Sequence, residues 1–436
     1  MEPIYDVAVV GGGLAGLTTA AYAGRTGASV LVLERASEFG GRATTTEKDG
    51  LFLNLGPHAL YQGGEAAPIL AELGVTYSGG SPRTAGLAVR GGATFTLPSA
   101  PASLLLSPLL GVRSKARMAA FFASLPRMDT APLQAESVRS WLDRTFARPD
   151  IREYVAALFR LSTYANAPDE MSAGAALDQL RRSLKGVSYL EGGWTTLVRG
   201  LRQAAARSGA ELRAGAPVRS LSPFDGGWRI SLGDGSEATA ASVVLALAPA
   251  VAAALLRDGF AAATLAAWAS EAAPVRAACL DVVLERLPEP RNTFALGMDD
   301  PVYCSVHTAA TPALAPNGQQ IVSLARYLAP AEEGQAGVEA ALEGLLDLIQ
   351  PGWRELVVTR RFLPNLTVAN AVVSAARGGL AGRPGPAVPG ADGLFVAGDW
   401  VGARGMLADA ALSSAKEAGA LAAAAARASR PALAAV

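Results

Sequence analysis

Several kinds of residue are scarce in this chain, and each shortage removes a class of function. Two cysteines among 436 residues, Cys279 and Cys304, are too few for a disulfide framework and read as small core residues. Two histidines, His58 and His307, with no cysteine cluster beside them, exclude a structural zinc site, and no metal is expected. Lysine occurs four times, at Lys48, Lys115, Lys185 and Lys416, which leaves 186–415 without one. Neither sign of charge is in excess: 38 basic residues face 38 acidic ones, so nucleic acid is not an expected partner. A first strand at about Ile4 leaves no charged and apolar leader, and a cytoplasmic location is expected. The longest apolar stretch, Ala238 to Ala267, approaches a membrane span in length. Pro249 interrupts it and Arg257-Asp258-Gly259 follow, so it reads as strand, proline turn and alanine-rich helix.

What is present begins at once. Ile4 to Val10 is a β-branched apolar run, Gly11 to Gly16 supplies G-x-G-x-x-G, Leu14 to Arg25 has helical apolar spacing, and a second strand at Ser29 to Leu33 ends in Glu34. The order has a physical sense. Gly11 permits the tight turn, Gly13 lets backbone N–H groups approach a pyrophosphate at the helix start, and Gly16 lets helix and strand pack closely. Glu34, eighteen residues past Gly16, is placed to hydrogen-bond an adenosine ribose.

Further along, Gly40-Gly41-Arg42 forms a second glycine pair followed by a base, and Gly50 to Tyr61 alternates like a strand before stopping at Gly56-Pro57 and delivering His58. Near the other end stands GLFVAGDWVGARGMLADAALSSAKEAG, Gly393 to Gly419. Together these segments resemble the flavin amine oxidase, phytoene desaturase and protoporphyrinogen oxidase superfamily, over the full length of the chain. The resemblance implies FAD as cofactor. It implies cofactor contacts at Gly11, Gly13, Leu14, Ala15, Gly16, Glu34 and Arg35, then at Gly40, Gly41, Arg42, Gly56, Pro57 and His58. It implies others at Val218, whose backbone meets the adenine, and at Gly398, Asp399, Met406, Leu407 and Ala410. Asp399 takes a ribityl or pyrophosphate-side hydroxyl, and the helix opened by Met406-Leu407 faces the N1/O2 edge of the flavin, where reduced flavin carries negative charge.

The expected fold class is α/β: a Rossmann-like FAD-binding domain, discontinuous in sequence (1–80, 187–256 and 386–436), and an α+β substrate domain of mixed sheet plus helices (81–186 and 257–385). Helical patterns at Ser137 to Thr145, Ile151 to Thr163 and Gln335 to Leu348, and strand-like runs at Val275 to Leu284, Val302 to His307 and Gln320 to Tyr327, supply the second domain.

Amine oxidases of this superfamily hold a water near flavin N5 with a lysine from the middle strand of the substrate sheet, and the corresponding run here, Pro274 to Leu284, has none. Arg276 is no substitute base, since guanidinium stays protonated. The segment Pro301 to Leu328, with A-P-x-G at Ala315 to Gly318, is similar to the bacterial phytoene desaturase-like branch, which processes long apolar substrates. The expectation is therefore an FAD-dependent oxidoreductase taking hydride from a C–H bond of an apolar small molecule, with oxygen, quinone or another acceptor reoxidising FAD. A redox-neutral isomerase using reduced FAD, an amine oxidase lacking the lysine, and a flavin-binding protein without turnover stay open. His58, Tyr61 and Trp400 are the candidates for catalysis or cavity lining, with His307 a structural residue. Ser103 to Arg117, an apolar cluster followed by Arg113, Lys115 and Arg117, suits either a core helix or peripheral contact with a membrane.

Overall fold

Parallel pairing organises the first sheet of the computed structural model, which describes residues 4–83, 85–224, 226–332 and 337–433. Glu211–Arg213, Val30–Leu33, Ile4–Val10 and Glu237–Leu245 lie side by side in parallel, and Leu394–Val396 pairs with the end of Glu237–Leu245. Gly227–Leu232 and Val218–Phe224 extend the sheet antiparallel. These central strands are continuous apolar runs because both faces are covered. On one face the helix Leu14–Gly24 packs between Thr195–Arg207 and the long helix Leu407–Leu433. On the other, Pro249–Ala253 and Phe260–Glu271 cover the sheet with Trp228 and Trp400 in the core between. The alanine-rich stretch is thus strand, turn and two helices, and no helix among the described residues is long and apolar enough to cross a membrane.

The second sheet has seven strands in the order Val357–Ala369, Val275–Leu284, Gln320–Leu328, Val302–Val306, Phe294–Gly297, Leu87–Arg90 and Ala93–Thr96, antiparallel except where Phe294–Gly297 meets Leu87–Arg90. Side chains alternate across it. Along Val275–Leu284, Ala278, Leu280, Val282 and Leu284 pack under the helix Val338–Ile349. Ala277 and Cys279 turn the other way, into a core shared with the helices Val112–Ser124, Val138–Thr145, Pro149–Thr163 and Ala173–Ser183. The helix read at Gln335 to Leu348 runs Val338–Ile349; its residues 335 and 336 lie outside the described residues. Two smaller sheets stand apart from these: Thr45–Lys48 with Leu51–Asn54, and Val187–Leu190 between Leu60–Tyr61 and Gly79–Gly80.

Candidate active site

The glycine turn after the first strand forms one wall of a cleft. Gly11 has φ +107°, in the region open to glycine, and its N–H donates to the Leu33 carbonyl at 2.8 Å. Gly16 presses on this turn: a Cβ there would lie 1.8 Å from the Gly11 oxygen. The helix starts at Leu14 with no side-chain cap, so the N–H groups of Leu14, Ala15 and Gly16 have no partner within the helix. Opposite stands the second glycine loop, where Gly40 N–H donates to the Gly12 carbonyl at 2.9 Å. A Cβ on Gly13 would meet nothing nearer than 3.7 Å, and one on Gly41 nothing nearer than 3.8 Å. Neither glycine is crowded where the positive end of the helix emerges, which fits the pyrophosphate of FAD.

Glu34 is 9% exposed and rigidly held, its two carboxylate oxygens accepting from Gly12 N–H at 2.7 Å and Ala36 N–H at 2.8 Å. Ala216 N–H donates to the Glu34 carbonyl and Gly215 N–H to that of Ala36, which brings the start of Val218–Phe224 beside the acid. Arg35 is exposed next to it. Three distant stretches of chain therefore meet at Glu34.

At the flavin end the structure joins Arg42 to Asp399. Arg42 Nη1 donates to Asp399 Oδ2 at 2.9 Å and to the Val368 carbonyl at 2.8 Å. Asp399, 5% exposed, also accepts from the backbone N–H of Asn370 at 3.1 Å and from its Nδ2 at 2.7 Å. Arg383 braces the following loop by donating to the carbonyls of Asp399 and Gly405, and burial lowers its pKa to about 10, so it stays charged. The hydroxyl of Ser414 clasps Gly398 at both its N–H and its carbonyl, fixing the helix Leu407–Leu433 to this loop, with Ala410 fully buried in it. Leu407 sits at φ +55°, a left-handed conformation costly for leucine, at the mouth of this helix. Met406 and Leu407 pack in the same core as Cys279, Tyr164, Tyr303 and Tyr327. Neither Asn370 nor Arg383 was visible as a site residue in the sequence, because each lies in a stretch read only as a connection.

The three candidates for catalysis are not brought together. His58 lies where Gly56-Pro57 enters the second sheet: Gly56, with φ +75°, abuts Cys279 and Leu366, and the His58 ring stands edge-on to Trp194 at 4.7 Å, with Nδ1 3.1 Å from the Gly56 carbonyl. Desolvation lowers the His58 pKa to about 4, and the Arg42 and Arg361 charges push the same way, so the ring is neutral. Tyr61 is buried with its hydroxyl donating to the Ser162 carbonyl at 2.8 Å. Trp400 turns away from the core of Met406 and Cys279: it is buried beside Trp268 under the first sheet and donates Nε1–H to the Leu247 carbonyl at 3.0 Å. That is a packing position, set by the apolar layer between sheet and helices.

A polar aromatic interior also emerges. Tyr189 hydroxyl lies 3.1 Å from that of Tyr303 and 2.9 Å from Ser305 Oγ, and its ring stacks on His307 at 4.2 Å. Tyr164 meets Tyr327 edge-on. Burial raises the pKa of Tyr61, Tyr164, Tyr189, Tyr303, Tyr327 and the Cys279 thiol, and lowers that of His307 to about 3. Asp281, buried on the same strand as Cys279, accepts from Ser323 Oγ at 2.8 Å and from Arg361 Nη2 at 2.6 Å, and Arg361 also donates to the Asn54 carbonyl. Tyr303 and Tyr327 lie on strands that also carry Ser305, Ser323 and Arg326, so nothing in the linear pattern set this interior apart.

Comparison with known proteins gives these residues a context. Residues 14–422 match the family model of flavin containing amine oxidoreductases. An uncharacterized protein of Mycobacterium tuberculosis is 28% identical over 340 residues, 66% of this chain and 61% of that protein, so the chain spans about three fifths of the length of this relative. A limonene dehydrogenase component from Castellaniella defragrans is 47% identical over 75 residues, 17% of this chain and 13% of that one. Among solved structures, an oxidoreductase from Methanosarcina mazei superposes with a TM-score of 0.76 at 21% identity, covering 94% of this chain and 99% of its own.

Proposed function

We propose, for a chain that belongs to the flavin-containing amine oxidoreductase family, that it is an FAD-dependent oxidoreductase acting on a C–H bond in an uncharged, apolar part of its substrate. The observation that carries this reading is the neutrality of the interior beyond His58. At physiological pH His58 and His307 are unprotonated, while the five buried tyrosines and Cys279 keep their protons. Of the charged groups that border it, Asp281 is paired with Arg361 and Asp399 with Arg42; the buried Arg160 guanidinium beside Tyr327 donates to the Gly297 and Met298 carbonyls, and Asp409, facing Tyr61, accepts from the Ala66 N–H. A protonated amine entering such a site would lose its hydration without gaining a carboxylate. A hydrocarbon segment loses nothing by comparison.

Bound FAD supplies the hydride acceptor. The chain's own part is to orient and to exclude water: Leu407, Met406, Cys279 and the tyrosine rings pack in one core, and His58 is held with its Nδ1 at the Gly56 carbonyl. Hydride transfer depends mainly on such positioning, so the missing lysine along Val275–Leu284 is no obstacle. The relative named as a limonene dehydrogenase subunit, matched over 75 residues, acts, by that name, on limonene, which agrees with this reading.

A second reading, an amine oxidase without the lysine, has the family's name in its favour. Anaerobic loss of visible flavin absorption against a panel of polyenes, terpenes, porphyrinogens and primary amines separates the two. Reduction by a hydrocarbon and not by amines is expected. Reduction by amines alone overturns the proposal, and turnover without consumption of any acceptor identifies a redox-neutral isomerase.

A further inference from the structure

We propose that the surface formed by residues 101–117 docks on an anionic lipid bilayer, with apolar side chains entering the membrane and bases meeting the headgroups. The docking stands apart from the substrate reading above, since it concerns where the protein sits and not what it oxidises.

The exposed side chains come first. Leu105 is 71% exposed, Leu106 82% and Val112 84%, the three most exposed large hydrophobic residues among those described. The helix Pro101–Leu106 has no fully buried side chain, and only Leu104 packs partly against the core. Its neighbours are firmly anchored: Leu109, Leu110, Met118 and Phe121 lie in the core that also holds Cys279, Tyr164, Tyr303 and Tyr327. Lys115 Nζ donates to the Leu105 carbonyl at 2.6 Å and ties the short helix to Val112–Ser124. An apolar tip is therefore held out from a rigid base, at a cost in hydrophobic exposure that a monomer in water does not recover.

Charge identifies the occupant. No acidic residue occurs between Glu72 and Asp129, while Arg83, Arg90, Arg113, Lys115, Arg117 and Arg127 all fall there, in a chain whose net charge is zero. Arg90 is paired with Glu153. Arg113 and Arg117 are exposed beside the tip, and neither joins a carboxylate among the described residues. A second copy meeting this surface symmetrically would set bases against bases. An anionic bilayer satisfies both features at once: hydrocarbon for the leucines and valine, negative headgroups for the arginines.

The test is cosedimentation of the full FAD-loaded chain with vesicles of phosphatidylglycerol and phosphatidylcholine, against phosphatidylcholine alone, at low and high salt. Preferential binding to the anionic vesicles by about tenfold, weakening as salt rises, is expected. Leu105→Asp/Leu106→Asp loses that binding while keeping FAD, and Arg113→Glu/Arg117→Glu loses the preference for anionic lipid. Should the double aspartate variant shed FAD, the milder Leu106→Ser/Val112→Ser pair is read in its place. Absence of vesicle binding by the parent protein, or unchanged binding by the leucine variants, overturns the proposal. So does light scattering in which those variants convert a dimer to a monomer with no change at the vesicle.

Discussion

Burial decides the protonation state of His58 before any substrate arrives. Its pKa in the fold is about 4 against an ordinary 6.5, so between those values the unfolded chain binds a proton that the folded one refuses. Stability is complete above pH 6.5 and falls toward pH 4, with a slope of about 1.4 kcal/mol per pH unit. His307, lowered to about 3, acts in the same sense. Asp409, in the first turn of the helix Leu407–Leu433 and raised to about 6 by burial, acts oppositely, because the fold keeps a proton that the unfolded chain releases. Thermal melts across pH 4 to 6.5 should therefore flatten in His307→Gln and steepen in Asp409→Asn. His58→Ala should retain FAD yet slow flavin reduction by the true substrate by about tenfold, read by stopped flow; an unchanged rate would make the ring a packing residue. Glu34→Ala strips an acceptor from Gly12 and Ala36 as well as from the ribose, each charge-assisted bond being worth about 1.5–3 kcal/mol. FAD titration of the apoprotein should show affinity reduced more than about tenfold. The position of His58 was legible in the sequence because Gly56-Pro57 marks the turn that delivers it. Its neutrality was not, since desolvation comes from Trp194 and from strands hundreds of residues away, and the direction of Trp400 was hidden for the same reason.

Local elements differ in how far they announce themselves. The glycine turn does so because each glycine answers a local demand, and the two demands can be separated. A Cβ on Gly13 makes only an ordinary contact, 3.7 Å from the Gly40 oxygen, so Gly13→Val should cost the apoprotein far less melting temperature than Gly16→Ala and lose FAD. Gly16→Ala forces a carbon onto the Gly11 oxygen and should lower the melting temperature of the apoprotein itself. The strand Val275–Leu284 was legible from its apolar run. Its neighbour Val357–Ala369, thirteen residues long, was not, because Arg360, Arg361 and Pro364 interrupt the pattern. The structure explains the tolerance: this strand is the sheet edge, and its register with Val275–Leu284 shifts around Pro364, where no ladder N–H is required. Arg361 in turn is spent on buried Asp281. Arg361→Met should cost about 3–5 kcal/mol by leaving that carboxylate unpaired, and Arg361→Met/Asp281→Leu should recover most of it, as denaturant unfolding will report.

Across the whole molecule the cofactor residues link the two sheets. Arg42 reaches Asp399 after the first sheet and the Val368 carbonyl in the second, while Gly56 abuts Cys279 and Leu366. A ligand held by both should stabilise both: FAD at a hundredfold over its dissociation constant should add about 2.7 kcal/mol, seen as one cooperative rise in melting temperature. Two separate transitions, only one of them moved by FAD, would show that the halves unfold independently. The sequence by itself determined the dinucleotide turn, the acid after the second strand, the strand Val275–Leu284 and the absence of a lysine along it. These are set by backbone conformation and by periodicities spanning a few residues. Only the tertiary structure decided that Arg42 closes on Asp399, that the interior beyond His58 is neutral and rich in tyrosine, and that Leu105, Leu106 and Val112 stay uncovered. Pairing, desolvation and exposure depend on which distant segments the fold brings near, and the linear pattern holds no measure of that distance.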